Sequence, residues 1–296
     1  MKILITGARG QLGQTIKNST HGLDHELFFA ARIPDSISDQ QYVHLDITDR
    51  ENIHKVLSDN SIDIIINCAG YTDVAKAETD SSETFRINAE AVAELADAAR
   101  QHDVLLIHIS TDYIFDGRSS VPYKEGDNAE PVNEYGRSKL AGERAVLESG
   151  CRYMIFRTSW LYSIYGKNFF TTIVRKADEH PVVKVVSDQV GTPTYAGDLV
   201  EAIFHIIDEG MTDRQGIYNF TNEGVCSWYD FAKLICKEIG SLCEVMPCNT
   251  DEYPTNVNRP SYSVLDKTRI KYTFGLEIPH WTDSLSFCVS EIEKFG

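Results

Sequence analysis

Met1-Lys2-Ile3-Leu4-Ile5-Thr6-Gly7-Ala8-Arg9-Gly10-Gln11-Leu12-Gly13 opens the chain with a short β-branched apolar run that turns directly into glycines spaced G-x-x-G-x-x-G. A strand that ends in such a turn and opens a helix can hold a pyrophosphate. Gly7 permits the tight turn, Gly10 lets a ligand approach the backbone, and Gly13 allows the helix to pack closely on the strand. The N–H groups at the helix start, from Gln11 and Leu12 onward, then face the phosphates. The strand and helix on either side favour a dinucleotide site over a glycine turn that serves packing alone.

Working outward, β-branched runs alternate with helical spacing. Lys2–Thr6, Glu26–Ala30, Ile62–Cys68, Val104–Ile109 and Tyr153–Arg157 read as strands, and Gln11–Ser19, Asp49–Ser58 and Glu83–Arg100 as helices. Ile62–Asn67 and Val104–Ile107 are nearly unbroken apolar runs, the pattern of strands covered on both faces. This alternation predicts an α/β fold, a Rossmann-type doubly wound parallel sheet with a smaller α/β substrate lobe. We expect residues 1–157, with returning segments near 183–209, to form the nucleotide-binding domain. Residues 158–182 and 210–296 should mainly form the second lobe. There Tyr162–Tyr165, Asp188–Tyr195 and the polar stretch Asn249–Tyr262 read as loops, Ala196–Glu209 as a helix and Gly216–Thr221 as a strand.

Composition excludes several classes of function. The 296 residues carry 28 Lys+Arg against 44 Asp+Glu, a net charge of −16 that repels nucleic acid and anionic lipid. No apolar run reaches the ~18 residues of a membrane helix. The N-terminus lacks the pattern of a secretory signal. Seven scattered cysteines without a C-x-x-C pair argue against a disulfide framework or structural zinc, so a cytoplasmic protein with reduced thiols is expected. His21 and His25 are four apart, but with no third ligand they read as solvated histidines.

The residue expected to meet the adenosine ribose lies at the end of the second strand. Ala30, Ala31 and Arg32 stand there, and no carboxylate follows until Asp35. Arg32, with help from Arg9, suits a 2′-phosphate, which favours NADPH and leaves NADH as the alternative.

Tyr135-Gly136-Arg137-Ser138-Lys139 places a phenol and an ammonium on one helix face. A free tyrosine, with pKa near ~10, is a poor proton carrier at neutral pH. A lysine charge beside it is expected to make the phenol more acidic and fit it for acid–base work. Ser110-Thr111-Asp112 ends the apolar strand Val104–Ile109, at the sheet end where α/β proteins bind ligands. A hydroxyl there can reach the same substrate oxygen as Tyr135.

The glycine spacing and the Tyr135/Lys139 pair resemble the extended short-chain dehydrogenase/reductases. Longer stretches narrow the likeness: Gly70–Glu78 (GYTDVAKAE), Ser110–Gly117 (STDYIFDG), Tyr135–Glu143 (YGRSKLAGE), Arg157–Trp160, Asp188–Thr194 (DQVGTPT) and Asn258-Arg259-Pro260. Together, over nearly the whole chain, they resemble the dTDP-4-dehydrorhamnose reductase family.

The resemblance implies NADPH-dependent reduction of the C4 ketone of a dTDP-4-dehydro-6-deoxy sugar. Tyr135 would be the proton donor, Lys139 its tuning partner and the holder of the nicotinamide ribose, so that both also bind the cofactor, and Thr111 the group that polarises the ketone. Asp112, Tyr113 and Trp160 would contact the sugar nucleotide, Asn168 its nucleotide part and Arg259 the diphosphate. Asp46, Ile47, Gly70, Tyr71, Thr72 and Ile109 would line the cofactor, Asn67-Cys68-Ala69-Gly70 resembles the superfamily's cofactor-lining N-N-A-G stretch, and Asn88 its structural asparagine. Members of that family can form a homodimer, some with Mg2+ held by carboxylates, but among so many acids the sequence assigns no ligands. Two other readings remain open here: an extended short-chain NDP-sugar epimerase or dehydratase, and a non-catalytic reductase-like regulatory subunit. Thr111-Asp112-Tyr113 lacks the Glu usual in the dehydratases, and the intact Thr111/Tyr135/Lys139 set weighs against a regulatory subunit.

Overall fold

The structure, a computed structural model, describes residues 1–22, 24–32, 42–253 and 255–295. Asp35 therefore lies outside the described residues. Along the first half run β1 (Lys2–Thr6), α1 (Gln11–Asn18), β2 (Glu26–Ala31), β3 (Val43–His44), α2 (Arg50–Asn60) and β4 (Ile64–Asn67). Then follow short α3 (Val74–Ala77) and α4 (Ser81–Phe85), α5 (Ala91–Gln101), β5 (Leu105–Thr111), α6 (Glu134–Ser149) and β6 (Arg152–Thr158).

Seven strands form one parallel sheet in the order Gly216–Asn219, β6, β5, β4, β1, β2, β3. The order reverses between β1 and β4, so the crevice above their carboxyl ends is the ligand-binding position of a doubly wound sheet. Both faces are buried as the apolar runs predict. Ile3, Ile5, Ile64, Ile66 and Ile107 pack toward α1 and the helix Ala196–Asp208, while Leu4, Ile65 and Leu106 pack toward α2 and α5.

The expected helix Glu83–Arg100 is interrupted. Arg86–Glu90 is π-helical, and the extra residue in that turn lets buried Asn88 reach the end of β4. Its amide accepts from Tyr71 N–H at 2.8 Å and donates to Tyr71 C=O and Ser138 Oγ at 3.0 Å each. This latch ties Gly70–Tyr71 to α6, which carries Tyr135 and Lys139.

The lobe boundaries differ from those expected. Val182–Val186 pairs with Glu244–Cys248 in the smaller lobe, so the chain returns to the large sheet only at the helix Ala196–Asp208. Gly216–Asn219, expected in the second lobe, is instead the sheet's outer strand against β6, because Tyr218 and Phe220 complete the core under that edge. Asp188–Tyr195 is not all loop, since Val190–Gly191 and Thr194–Tyr195 each make a short strand pair. His25 is not simply solvated: it pairs with Asp208 at 2.8 Å and lies over Phe204. No helix among the described residues is long and apolar enough to cross a membrane.

Candidate active site

Two cavities meet the carboxyl ends of the central strands. The first, about 330 Å³, is walled by Gly7, Gly10, Arg32, Asp46, Ile47 and Gly70. Gly7 sits at φ +61°, and a Cβ there would lie 2.7 Å from the Ala69 backbone. A Cβ on Gly10 would approach only the Gly7 carbonyl, so the backbone above Gly10 stays open to a ligand. The N-terminus of α1 has no capping side chain and no acid in its first turn, leaving its N–H groups to an anion. Arg9 and Arg32 stand on the same wall. Burial works against the Asp46 charge, yet hydrogen bonds from Thr48 and the nearby Arg32 and Arg86 hold its carboxyl below the usual range. An open glycine turn, a bare helix terminus and two arginines fit a phosphorylated dinucleotide.

The second cavity, about 620 Å³, lies between the sheet and the smaller lobe. It brings together Thr72, Thr111, Asp112, Tyr113, Tyr135, Trp160, Asn168 and Arg259, residues the sequence scatters over half the chain. Tyr71 and Ile109, expected to line the cofactor, line neither of these cavities; the Tyr71 backbone is held by Asn88, and the Ile109 carbonyl accepts from Lys139 Nζ at 2.6 Å.

Tyr135 and Lys139 sit in the first turns of α6, which is capped by Asn133 accepting from Gly136 N–H at 2.8 Å. A Cβ on Gly136 would lie 2.1 Å from the Tyr113 carbonyl, so the glycine of Y-G-x-x-K lets the helix start touch Tyr113. The Tyr113 ring meets Tyr135 edge-on at 5.7 Å, and Arg259 Nη1 donates to the Tyr113 hydroxyl at 3.0 Å. Thr111 Oγ1 donates to Asp112 Oδ1 at 3.0 Å.

The expected acidification of Tyr135 by Lys139 is not found. Burial pushes the Tyr135 phenol well above its ordinary value, Thr111 lowers it in part, and Asp112 and Tyr113 raise it further. The reason is orientation: the Lys139 ammonium is turned to the Ile109 carbonyl and to His108. Burial lowers Lys139 itself to about 8, against the pull of Glu143. Burial also raises Asp112 to about 7, with Ser263 and Thr111 opposing.

Trp160 adopts φ +46°, uncommon for a bulky residue. Its ring stacks on Trp228 with centroids 3.5 Å apart, forming an apolar wall of the cavity. A Cβ on Gly191 would lie 2.7 Å from that ring, which accounts for the glycine in D-Q-V-G-T-P-T. Asn168 lines the cavity, but its side chain is spent on structure. Its oxygen caps the helix Phe169–Glu179 through Thr171 N–H, and its amide donates to the carbonyls of Ser163 and Tyr165. The sequence reading missed Trp228, Gly191 and three lysines on the wall, Lys167, Lys176 and Lys184. Lysines in a cavity of an acidic chain would have been the signal for the last three. No group of three or more metal-ligating side chains occurs among the described residues.

A doubly wound sheet, a glycine turn and a Tyr/Lys/Thr cluster at the strand ends define an oxidoreductase of the short-chain dehydrogenase/reductase type. Residues 1–294 match the family described as the RmlD substrate binding domain. The dTDP-4-dehydrorhamnose reductase of Aggregatibacter actinomycetemcomitans is 37% identical, over 96% of this chain and 97% of that protein. The crystal structure of the Clostridium acetobutylicum dTDP-4-dehydrorhamnose reductase superposes with a TM-score of 0.90 at 38% identity, covering 99% of this chain and 100% of that one. That of the Bacillus anthracis enzyme, solved in complex with NADP, gives 0.89 at 35% identity, over 98% and 99%. The chain belongs to the dTDP-4-dehydrorhamnose reductase family.

Proposed function

We propose that this protein reduces the C4 ketone of dTDP-4-dehydro-6-deoxy-L-mannose to give dTDP-L-rhamnose, with NADPH as reductant. The carrying observation is the convergence of Thr111, Tyr135 and Trp160 on one cavity, next to the glycine turn, in a chain matched to its relatives from end to end. Residues 1–157 with the helix Ala196–Asp208 and the strand Gly216–Asn219 would form the NADP-binding part, and most of the remainder the sugar-nucleotide lobe.

A bound reduced nicotinamide supplies the hydride for C4. Tyr135 supplies the proton: its raised affinity keeps the phenol protonated through neutral pH, the form a donor to a developing alkoxide must have. The Thr111 hydroxyl faces the same oxygen and stabilises its charge. Asp112 accepts a sugar hydroxyl. The Trp160 ring, held by Trp228, covers the apolar face of the sugar. Arg259, tied to Tyr113, lends its charge to the diphosphate. Asn168 contributes by fixing the helix start it caps rather than through its amide. Arg32 would favour NADPH over NADH. With seven unpaired cysteines the reading is of a cytoplasmic enzyme, and a homodimer is the assembly sedimentation would test.

The test is NADPH oxidation with dTDP-4-dehydro-6-deoxy-L-mannose, run beside NADH and the corresponding UDP-sugar. We expect turnover with NADPH and the dTDP-sugar to exceed the other combinations. Absence of oxidation with every combination overturns the reading.

A further inference from the structure

A line of buried side chains crosses the middle of the sheet toward Lys139. Thr6 Oγ1, at the end of β1, donates to Asn67 Oδ1 at 2.6 Å. Asn67 Nδ2, at the end of β4, lies 3.0 Å from His108 Nδ1, and His108 Nε2, in β5, lies 3.5 Å from Lys139 Nζ. None of the four is more than 5% exposed. A histidine inside a central strand, with its two ring nitrogens facing Asn67 and Lys139, has no part in the chemistry described so far.

The proton positions in this line are fixed from one end. Ala69 N–H is shared between Asn67 Oδ1 at 3.2 Å and Thr6 Oγ1 at 3.3 Å, and with Thr6 Oγ1 itself donating to Asn67 Oδ1 the amide atom facing His108 is the donor nitrogen. His108 Nδ1 therefore accepts, and the neutral imidazole carries its hydrogen on Nε2. Burial and the Lys139 charge both hold His108 far below its ordinary pKa, so it remains neutral. Its Nε2–H points at the lysine nitrogen, which offers a lone pair only as the neutral amine. The other groups facing Lys139 are the Ile109 carbonyl on β5, which accepts from it, and Glu143 on α6, whose charge favours the ammonium. Tyr135 lies one turn earlier on the same helix.

We propose that His108 is a positioning residue for proton supply to Tyr135: its imidazole, held by Asn67 with Nε2–H toward Lys139, opposes Glu143 and poises the lysine to release a proton in each turnover. This rests on the reading of Tyr135 as the proton donor. The Tyr135 O–H bond breaks as the substrate's O–H bond forms. The Lys139 ammonium then turns from the Ile109 carbonyl to the phenolate one helical turn away and gives it a proton, and the resulting amine, back beside the His108 N–H, is reprotonated from solvent. His108 keeps the same charge and tautomer throughout.

Two measurements test this. In protein labelled with 15N-histidine, two-bond nitrogen–proton correlations should report His108 as the neutral Nε2–H form from about pH 6 to about pH 9. A His108 that titrates in that range, or that carries its proton on Nδ1, overturns the proposal, and this measurement needs no variant and no turnover. His108→Gln replaces the N–H with a group that can turn an acceptor to Lys139, so the Lys139 titration, read from 13Cε-lysine signals, should rise by about one pH unit. With wild-type Lys139 at about 8, the ratio of NADPH oxidation at pH 9 to that at pH 7 should climb from about one-tenth to about one-half. Equal Lys139 midpoints in the two proteins overturn the proposal. If no reductase activity exists at all, the reading of the enzyme fails, while the tautomer and the lysine midpoints still decide the role of His108.

Discussion

Glu143 and Arg157 form an ion pair closed off from solvent, with Arg157 Nη2 2.7 Å from Oε2 and Nε 3.0 Å from Oε1, and side chains 1% and 5% exposed. Glu143 lies one turn beyond Lys139 on α6 and also accepts from Ser110, the neighbour of Thr111, so the pair braces the strand end and the helix that carry the candidate chemistry. Arg157→Met would leave the Glu143 carboxylate buried and unpaired, a change that typically costs about 3–5 kcal/mol. Urea denaturation should register that loss, and the double variant Glu143→Leu/Arg157→Met should recover most of it. A single variant as stable as wild type would show that the pair does not brace the site.

Tyr135→Phe removes the phenol hydroxyl and leaves the ring against Tyr113. Turnover should fall by roughly 10²–10⁴-fold, the usual contribution of a positioned acid. NADPH affinity, followed by its fluorescence on binding, should change far less, because the first cavity is built from other residues. Turnover near wild type would remove Tyr135 as the donor.

Much of this site was legible because its signals are local. Glycine spacing, β-branched runs and the four-residue interval from Tyr135 to Lys139 each reflect the geometry of one element. What escaped depends on chain segments that meet only in the fold. Trp228 becomes part of the wall because Trp160 stacks on it, and Gly191 matters because that ring passes over its Cα. The shift at Tyr135 was misread for a related reason. Helical spacing placed Lys139 on the right face, but the Ile109 carbonyl on β5 decides where its ammonium points, and burial is left to raise the phenol. The π-helical turn at Arg86–Glu90 was equally invisible, since it answers to Asn88 reaching the Tyr71 backbone.

Asp112 gives a pH dependence with a definite sign. Its carboxyl is raised from 3.8 to about 7 by burial, against hydrogen bonds with Ser263 and Thr111. Between these two values the unfolded chain has lost the proton that the native state still holds. Native protein thus binds more protons, and stability falls as pH rises through this window. Asp112→Asn should flatten that slope, leaving a protein more stable than wild type at pH 8 by up to about 4 kcal/mol, yet no more stable at pH 4. The same variant should bind the sugar nucleotide more weakly. Parallel stability–pH curves for the two proteins would show that Asp112 does not carry the buried charge.

Gly191→Ala tests the aromatic wall without replacing any titratable group. The backbone at Gly191 has no positive φ to object to a side chain, so the whole effect must come from space. The new methyl would lie 2.7 Å from the Trp160 indole and 2.9 Å from Ser263 Oγ. The indole cannot retreat, because Trp228 is stacked against it and Phe169 backs Trp228 with centroids 4.4 Å apart. Overpacking of this kind costs about 1–3 kcal/mol. Part of it should appear as lost stability in thermal melts, and part as a displaced Trp160 that raises KM for the dTDP-sugar several-fold while KM for NADPH stays close to wild type. If both KM values hold steady while stability falls, Trp160 is a packing residue of the small lobe and the sugar lies elsewhere in the cavity.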